Sequence, residues 1–159
     1  MHFSLVDRVL EQSDHRIVTL KQVTRAEEYL LDHFTTYPVL PGVFMLESMV
    51  QAARILASRD EDPASLPFVL GRVRALKYGT FVRPGYAIRV EIDRTISSVG
   101  PSAAAGNGEL DFKGVVRLLD PAASPGADNP TACTGRFSLR RVRVSAPILV
   151  GHPEPAPIG

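Results

Sequence analysis

The sequence predicts an α+β fold in which one long helix, early in the chain, is wrapped by an antiparallel β-sheet. Three observations predict it. After Pro41, apolar residues cover nearly every side of a helix-length stretch. Four runs rich in β-branched residues follow, several alternating with a period of two. The segments between them, VGPSAAAGNG and DPAASPGADNP, are rich in Gly, Pro, Asn and Ser, and such loops between consecutive strands favour antiparallel pairing.

Taken in order, LVDRVLE is a short apolar-polar segment, expected as one helical turn packed on the domain. RIVTLKQV, from Arg16 to Val23, is β-branched and alternating, hence a strand. AEEYLLDHF has helical propensity but is short, and Pro38 and Pro41 break the chain after it. From Pro41 onward Val43, Leu46, Val50, Ala53 and Ala57 recur at steps of three and four. Phe44, Met45, Met49, Ile55 and Leu56 widen that stripe until the helix is apolar almost all round, the pattern of a buried helix. It is expected to end near Ala57–Arg59, before the polar RDEDPASLP. FVLGRVRALKYG, YAIRVEIDRTIS, GELDFKGVVRLL and ACTGRFSLRRVRV supply the remaining strands. The expected organisation is one domain over 1–145 and an extended, Pro-rich tail over 146–159.

A chain of 159 residues is long enough for a proper core. A formal net charge of +1 gives no global basic field, which argues against nucleic acid as a partner. The single cysteine, Cys133, excludes an internal disulfide and a Cys-rich zinc site, and reads as a small core residue. No apolar run approaches the ~18 residues that span a bilayer. The N-terminus lacks a basic region followed by an apolar core, so the expectation is a soluble, cytoplasmic protein.

Chemistry concentrates in HFTTYPVLPGVFMLESMVQ, from His33 to Gln51. Glu47 is the only charge between Val43 and Ala53. A buried carboxylate must be paired or shift its pKa. Glu47 is therefore either a helix-edge acid facing solvent or Arg54, or a carboxyl in an apolar cleft poised for proton transfer. Pro41-Gly42 suits a first helical turn, yet Val39 and Leu40 offer no capping oxygen. The first N–H groups can then receive a ligand oxygen, unless water, Thr35 or Thr36 caps them. His33 differs from His2, His15 and His152 by its company. A base, an acid and a vacant helix start together form a proton-transfer site beside a carbonyl.

His33-Phe34, Pro38-Val39-Leu40-Pro41-Gly42-Val43 and Glu47-Ser48-Met49-Val50-Gln51 resemble the signature of FabZ-type 3-hydroxyacyl-[acyl-carrier-protein] dehydratases. That signature runs H-F-P-G-x-P-V-M-P-G-V and then E-A-M-A-Q, with the same separation from His to Glu. LVDRVLE is similar to the family's opening, and KYGTFVRPG to its later strand and P-G turn. The resemblance covers roughly Phe3 to Val144. It implies a hotdog fold, homodimers or trimers of dimers, and a tunnel at the dimer interface with His from one subunit and Glu from the other. It further implies His33 and Glu47 as the catalytic pair, Gly42 and Val43 N–H as the oxyanion donors, and Gln51 as a residue orienting Glu47. The substrate would arrive on the phosphopantetheine arm of an acyl carrier protein, with no metal or organic cofactor.

The chain departs from the signature where Thr35-Thr36 replace Pro-Gly and Tyr37 follows in place of a basic residue. These three residues are expected to line the substrate site and alter its shape. The departure leaves open a non-catalytic acyl-binding or partner subunit, and the fold also leaves open a thioesterase. Arg72 and Arg74 share one strand face and Arg141 and Arg143 another. They either solvate the sheet or dock an acidic carrier.

Overall fold

The structure is a computed structural model that describes residues 3–59, 62, 67–95, 109–124 and 128–142. The tail 146–159, Arg143, His2, His152, the loop over 100–108 and part of the loop over 120–130 lie outside the described residues.

Six strands form one sheet: β1 (Arg8–Gln12), β2 (Arg16–Gln22), β3 (Phe68–Tyr78), β4 (Ala87–Thr95), β5 (Leu110–Leu119) and β6 (Thr131–Arg141). Their spatial order is β1-β2-β4-β5-β6-β3, and every neighbouring pair is antiparallel. The helix α1 (Gly42–Ala57) lies across one face, which makes this a hotdog fold. No described helix is long and apolar enough to cross a membrane.

The strands follow the alternation in the sequence. In β5, Phe112, Gly114, Val116 and Leu118 are buried toward the helix, while Asp111 and Lys113 face away and are exposed. Phe112 stacks on Phe137 of β6 with ring centroids 5.6 Å apart. Met49 of the helix lies over Gly114 of the sheet; Gly135 is the direct cross-strand partner of Gly114. A Cβ on Gly114 would collide with the Met49 sulfur, so the close approach itself requires glycine there.

Three expectations are corrected. The LVDRVLE segment forms no helical turn. Its residues from Arg8 onward are the edge strand β1. The Asp7 carboxylate accepts from the Gln22 N–H at 2.7 Å and from Lys21 Nζ at 3.1 Å, so it docks the segment on the open edge of β2. That edge supplies hydrogen bonds that a five-residue helix could not supply to itself. AEEYLLDHF contributes only a 3-10 turn at Glu28–Leu30. The buried face of α1 keeps Val50 and Ala53 of the predicted stripe but not Val43 at its start. Met45, Met49, Ala52, Ala53 and Leu56 point into the sheet, while Val43 is 64% exposed and Ile55 is also exposed. Met49 packs over Gly114, a residue sixty-five positions further along the chain (114 − 49 = 65).

Cys133 is buried and free, as expected, and burial pushes its thiol up to about 11.

Candidate active site

His33 sits in a compact loop ahead of the helix. The Val39 N–H donates to the His33 carbonyl at 2.9 Å, and His33 Nδ1 lies 3.1 Å from the Val39 carbonyl. A carbonyl oxygen only accepts, so in the neutral ring Nδ1 carries the proton and Nε2 keeps its lone pair. Phe34 stacks on the imidazole at 4.4 Å, across a cis His33–Phe34 peptide bond. The loop is anchored from below: Val39 and Leu40 are buried, and the Leu40 N–H donates to the Val82 carbonyl at 2.8 Å.

Thr35 and Thr36 occupy the middle of a tight turn. Phe34 and Tyr37 exchange backbone hydrogen bonds at 3.3 and 3.1 Å around them. Ala75 is the one described residue other than glycine with positive φ, so neither threonine adopts the left-handed backbone that would call for glycine. Both side chains are exposed, and neither caps the helix.

The helix starts without a side-chain cap, at Pro41. Phe44 and Met45 N–H groups bond to the Pro41 carbonyl at 2.9 and 3.4 Å. Among the described residues the Gly42 and Val43 N–H groups meet no acceptor. They are the unpaired donors that a helix N-terminus always presents, at the positive end of its dipole. Tyr78 of β3 lies against Gly42, and a Cβ there would come within 2.8 Å of the ring. Burial, with a smaller push from Cys133, raises the Tyr78 phenol, so its hydroxyl is neutral at physiological pH. Sequence reasoning missed Tyr78. The only signal for it was its place in KYG ahead of the Pro84-Gly85 turn.

Glu47 lies one turn into the helix, with about a third of its side chain exposed. Gln51 Nε2 donates to Glu47 Oε1 at 3.1 Å, and Arg54 Nη1 lies 3.6 Å from the same oxygen. Within one chain, then, Glu47 keeps the arginine partner that the sequence offered as one reading. Gln51 is fully engaged: its amide oxygen accepts from the Leu5 N–H at 2.8 Å, and its amide nitrogen also donates to the Phe3 carbonyl at 3.0 Å. Phe3 in turn packs against Tyr29 and Phe44 at 5.6 and 5.3 Å. The N-terminal segment is thereby tied to the helix beside Glu47.

Tyr37 faces a different feature. A cavity of about 620 Å³ opens beside the loop, lined by Tyr37, Arg25, Arg83 and Tyr86 among others. The Arg83 guanidinium stands 6.0 Å from the Tyr37 ring and 5.5 Å from that of Tyr86. The structure thus brings His33, Gly42, Val43 and Tyr78 to the helix start, and Glu47 to Gln51 one turn further on. Tyr37 points to the neighbouring cavity, while Thr35 and Thr36 face outward.

Comparison with known proteins gives the chain a family. Residues 1–118 match the family model described as a FabA-like domain. A 3-hydroxyacyl-[acyl-carrier-protein] dehydratase FabZ of Lactococcus lactis subsp. cremoris is 38% identical over 120 residues, covering 72% of this chain and 82% of the relative. The FabZ of Ruminiclostridium cellulolyticum is 32% identical over 112 residues, covering 70% and 79%. Among solved structures, the dehydratase heterocomplex ApeI:P from Xenorhabdus doucetiae superposes with a TM-score of 0.58 at 17% identity, covering 88% of this chain and 100% of that one. An acyl-CoA hydrolase from Bacillus cereus gives 0.57 at 18% identity, covering 82% and 67%. These two likenesses carry the fold alone. The family match and the curated relatives carry more: the chain belongs to the FabA-like family, among the FabZ-type 3-hydroxyacyl-[acyl-carrier-protein] dehydratases.

Proposed function

We propose that this chain removes water from 3-hydroxyacyl thioesters carried on an acyl carrier protein, giving trans-2-enoyl thioesters. The observation that carries the roles is the tautomer set by the Val39 carbonyl: His33 donates through Nδ1 and keeps the Nε2 lone pair, and Val39 itself stands three residues ahead of the first of two unpaired N–H donors (42 − 39 = 3). His33 Nε2 takes the proton from C2. The electron pair moves toward the thioester carbonyl, and Gly42 and Val43 N–H groups hold the charge that develops on its oxygen. Glu47, in its acid form, gives a proton to the C3 hydroxyl, and the C–O bond breaks to release water. The C2–C3 double bond closes as it does so. The proton on His33 then returns to Glu47, which restores both groups.

The acid and base of one site come from two chains in this reading. The apolar helix supports it. Val43 and Ile55 are left exposed on α1, and Leu31, Phe34, Tyr78 and Phe81 are exposed on the segments around its start. Apolar surface of this kind marks a contact face. A second copy of the chain covers it in a homodimer, and dimers group in threes. Contact with the partner chain withdraws Glu47 from solvent and from Arg54. The same reading has the enzyme act in the cytoplasm. Tyr37, Thr35 and Thr36 stand at the substrate entrance, where they shape selectivity while leaving the His33–Val39 bond in place.

The test is turnover of 3-hydroxybutyryl thioester, on carrier protein and on coenzyme A, with His33→Ala as control. Loss of at least ~100-fold in the variant is the expected result. A folded dimer that turns over neither short nor long chains would instead favour an acyl-binding or partner subunit. Release of free thiol would favour a thioesterase.

A further inference from the structure

The outer face of the sheet, away from the helix, is divided electrostatically. On β2 and β4 the cations are neutralised. Arg16 bonds Glu91 and Asp93 at 2.7 and 2.8 Å, Arg89 bonds Glu11 and Glu91 at 2.8 and 3.3 Å, and Arg117 lies 3.4 Å from Glu91. On β3, β6 and β5 the opposite holds. Arg74 stands directly across from Arg136, and Arg136 directly across from Lys113. Arg72 lies two residues from Arg74 on the same exposed side.

Among the described residues none of these four has an ion-pair partner. Of the nearby acids, Asp111 lines the same place without pairing any of the four, and two others are committed elsewhere. Asp93, across from Lys113, is held by Arg16, and Glu109 accepts from Ser138. The adjoining segment 96–108 contains no charged residue. Like charges directly opposite on neighbouring strands destabilise a sheet. Three in a row, none in an ion pair, stand out against a face whose other half is so thoroughly paired.

The backbone shapes the same place. Ala75 has φ of 51°, and the β3–β6 register shifts on either side of Arg72 and Arg74. Bulges of this kind re-aim side chains. The same place holds a cavity of about 470 Å³ lined by Arg72, Arg74, Lys113 and Arg136 together with Asp111 and Thr95. That volume is in the range of small-ligand sites, and a concavity favours a small ligand over a flat protein face. The row spans two strand spacings, about 10 Å, which suits an anion with at least two charged groups. Arginine forks match phosphate oxygens, and Asp111 and Thr95 offer acceptors for ligand hydroxyls.

We propose that this cationic row is a binding site for a small organic diphosphate of nucleotide size, separate from the His33–Glu47 chemistry. Calorimetric titration of the full-length protein with ADP and with pyrophosphate, at low and moderate salt, tests it. Both probes are expected to bind, more weakly as salt rises. Arg74→Gln combined with Arg136→Gln is expected to lose about tenfold in affinity for each arginine removed. The same double variant is expected to melt at the same or a higher temperature without ligand, because it relieves the like-charge row. That separates a lost site from a lost fold. No heat from either probe with the native protein overturns the proposal, as does unchanged binding in the double variant. So does binding of an acidic carrier protein that depends on Arg74 and Arg136 but that neither ADP nor pyrophosphate displaces.

Discussion

His33 illustrates how one backbone carbonyl can set the chemistry of a side chain. The Val39 carbonyl can only accept from the ring, so it selects the tautomer whose Nε2 faces away as a base. Gln51 does comparable work for Glu47, with each of its amide hydrogen bonds assigned to a different partner. Gln51→Ala is expected to cost about 1–3 kcal/mol, because the Leu5 N–H and Phe3 carbonyl lose their partner. In the dehydration assay it should lower kcat more than it raises KM. Rescue by Gln51→Asn is expected to be poor, since the shorter amide cannot reach all three partners. Cys133 makes a simpler prediction. Its thiol is buried and pushed up to about 11, so a disulfide reagent should leave it untouched in the native protein and label it once the chain is unfolded in urea.

At the scale of elements, the helix and the sheet are locked at one crossing. Met49 rests over Gly114, with Ile92 also close. Gly114→Ala should therefore cost about 1–3 kcal/mol by overpacking. Met49→Ala in the same chain should recover part of that loss, a coupling that a double-mutant cycle on melting data would measure. The β2–β4–β5 ladder carries a pH dependence through Glu91. Burial alone would raise its carboxyl, but hydrogen bonds from Arg16 and Arg89 outweigh it and hold the group below the usual carboxylate range. Its contribution is thus present above the unfolded value and lost as pH falls through the lower folded value. Urea unfolding from neutral pH down to about pH 3 should show a steeper loss for the native chain than for Glu91→Gln.

At the scale of the whole molecule, the proposed sharing of one site between two chains has a direct consequence. His33→Ala and Glu47→Gln chains, each inactive alone, should regain activity when unfolded together and refolded as mixed dimers. One site of each mixed dimer would hold both native groups, so an equal mixture should reach about a quarter of native activity. If base and acid instead belonged to the same chain, mixing would restore nothing. The exposed Val43, Phe34 and Phe81 belong to the same scale, since an apolar helix covered on one side only is half of a core.

The sequence by itself determined the elements and most of the site's membership. The span of α1, the four later strands and the strand Arg16–Gln22 are local patterns, because periodicity depends on neighbours a few residues apart. The same locality brought His33, Gly42, Val43, Glu47 and Gln51 into view within nineteen residues (51 − 33 + 1 = 19). Only the tertiary structure decided what depends on distant partners. It turned Arg8–Gln12 into an edge strand because β2 had an open edge for it. It left Val43 exposed and set Met49 over Gly114. It grouped Arg74 with Arg136 and Lys113, where the sequence had paired arginines along single strands; Arg141 instead lies 4.6 Å above the Phe68 ring. Register across strands is set by long-range hydrogen bonding and packing, and no local window of sequence contains that information.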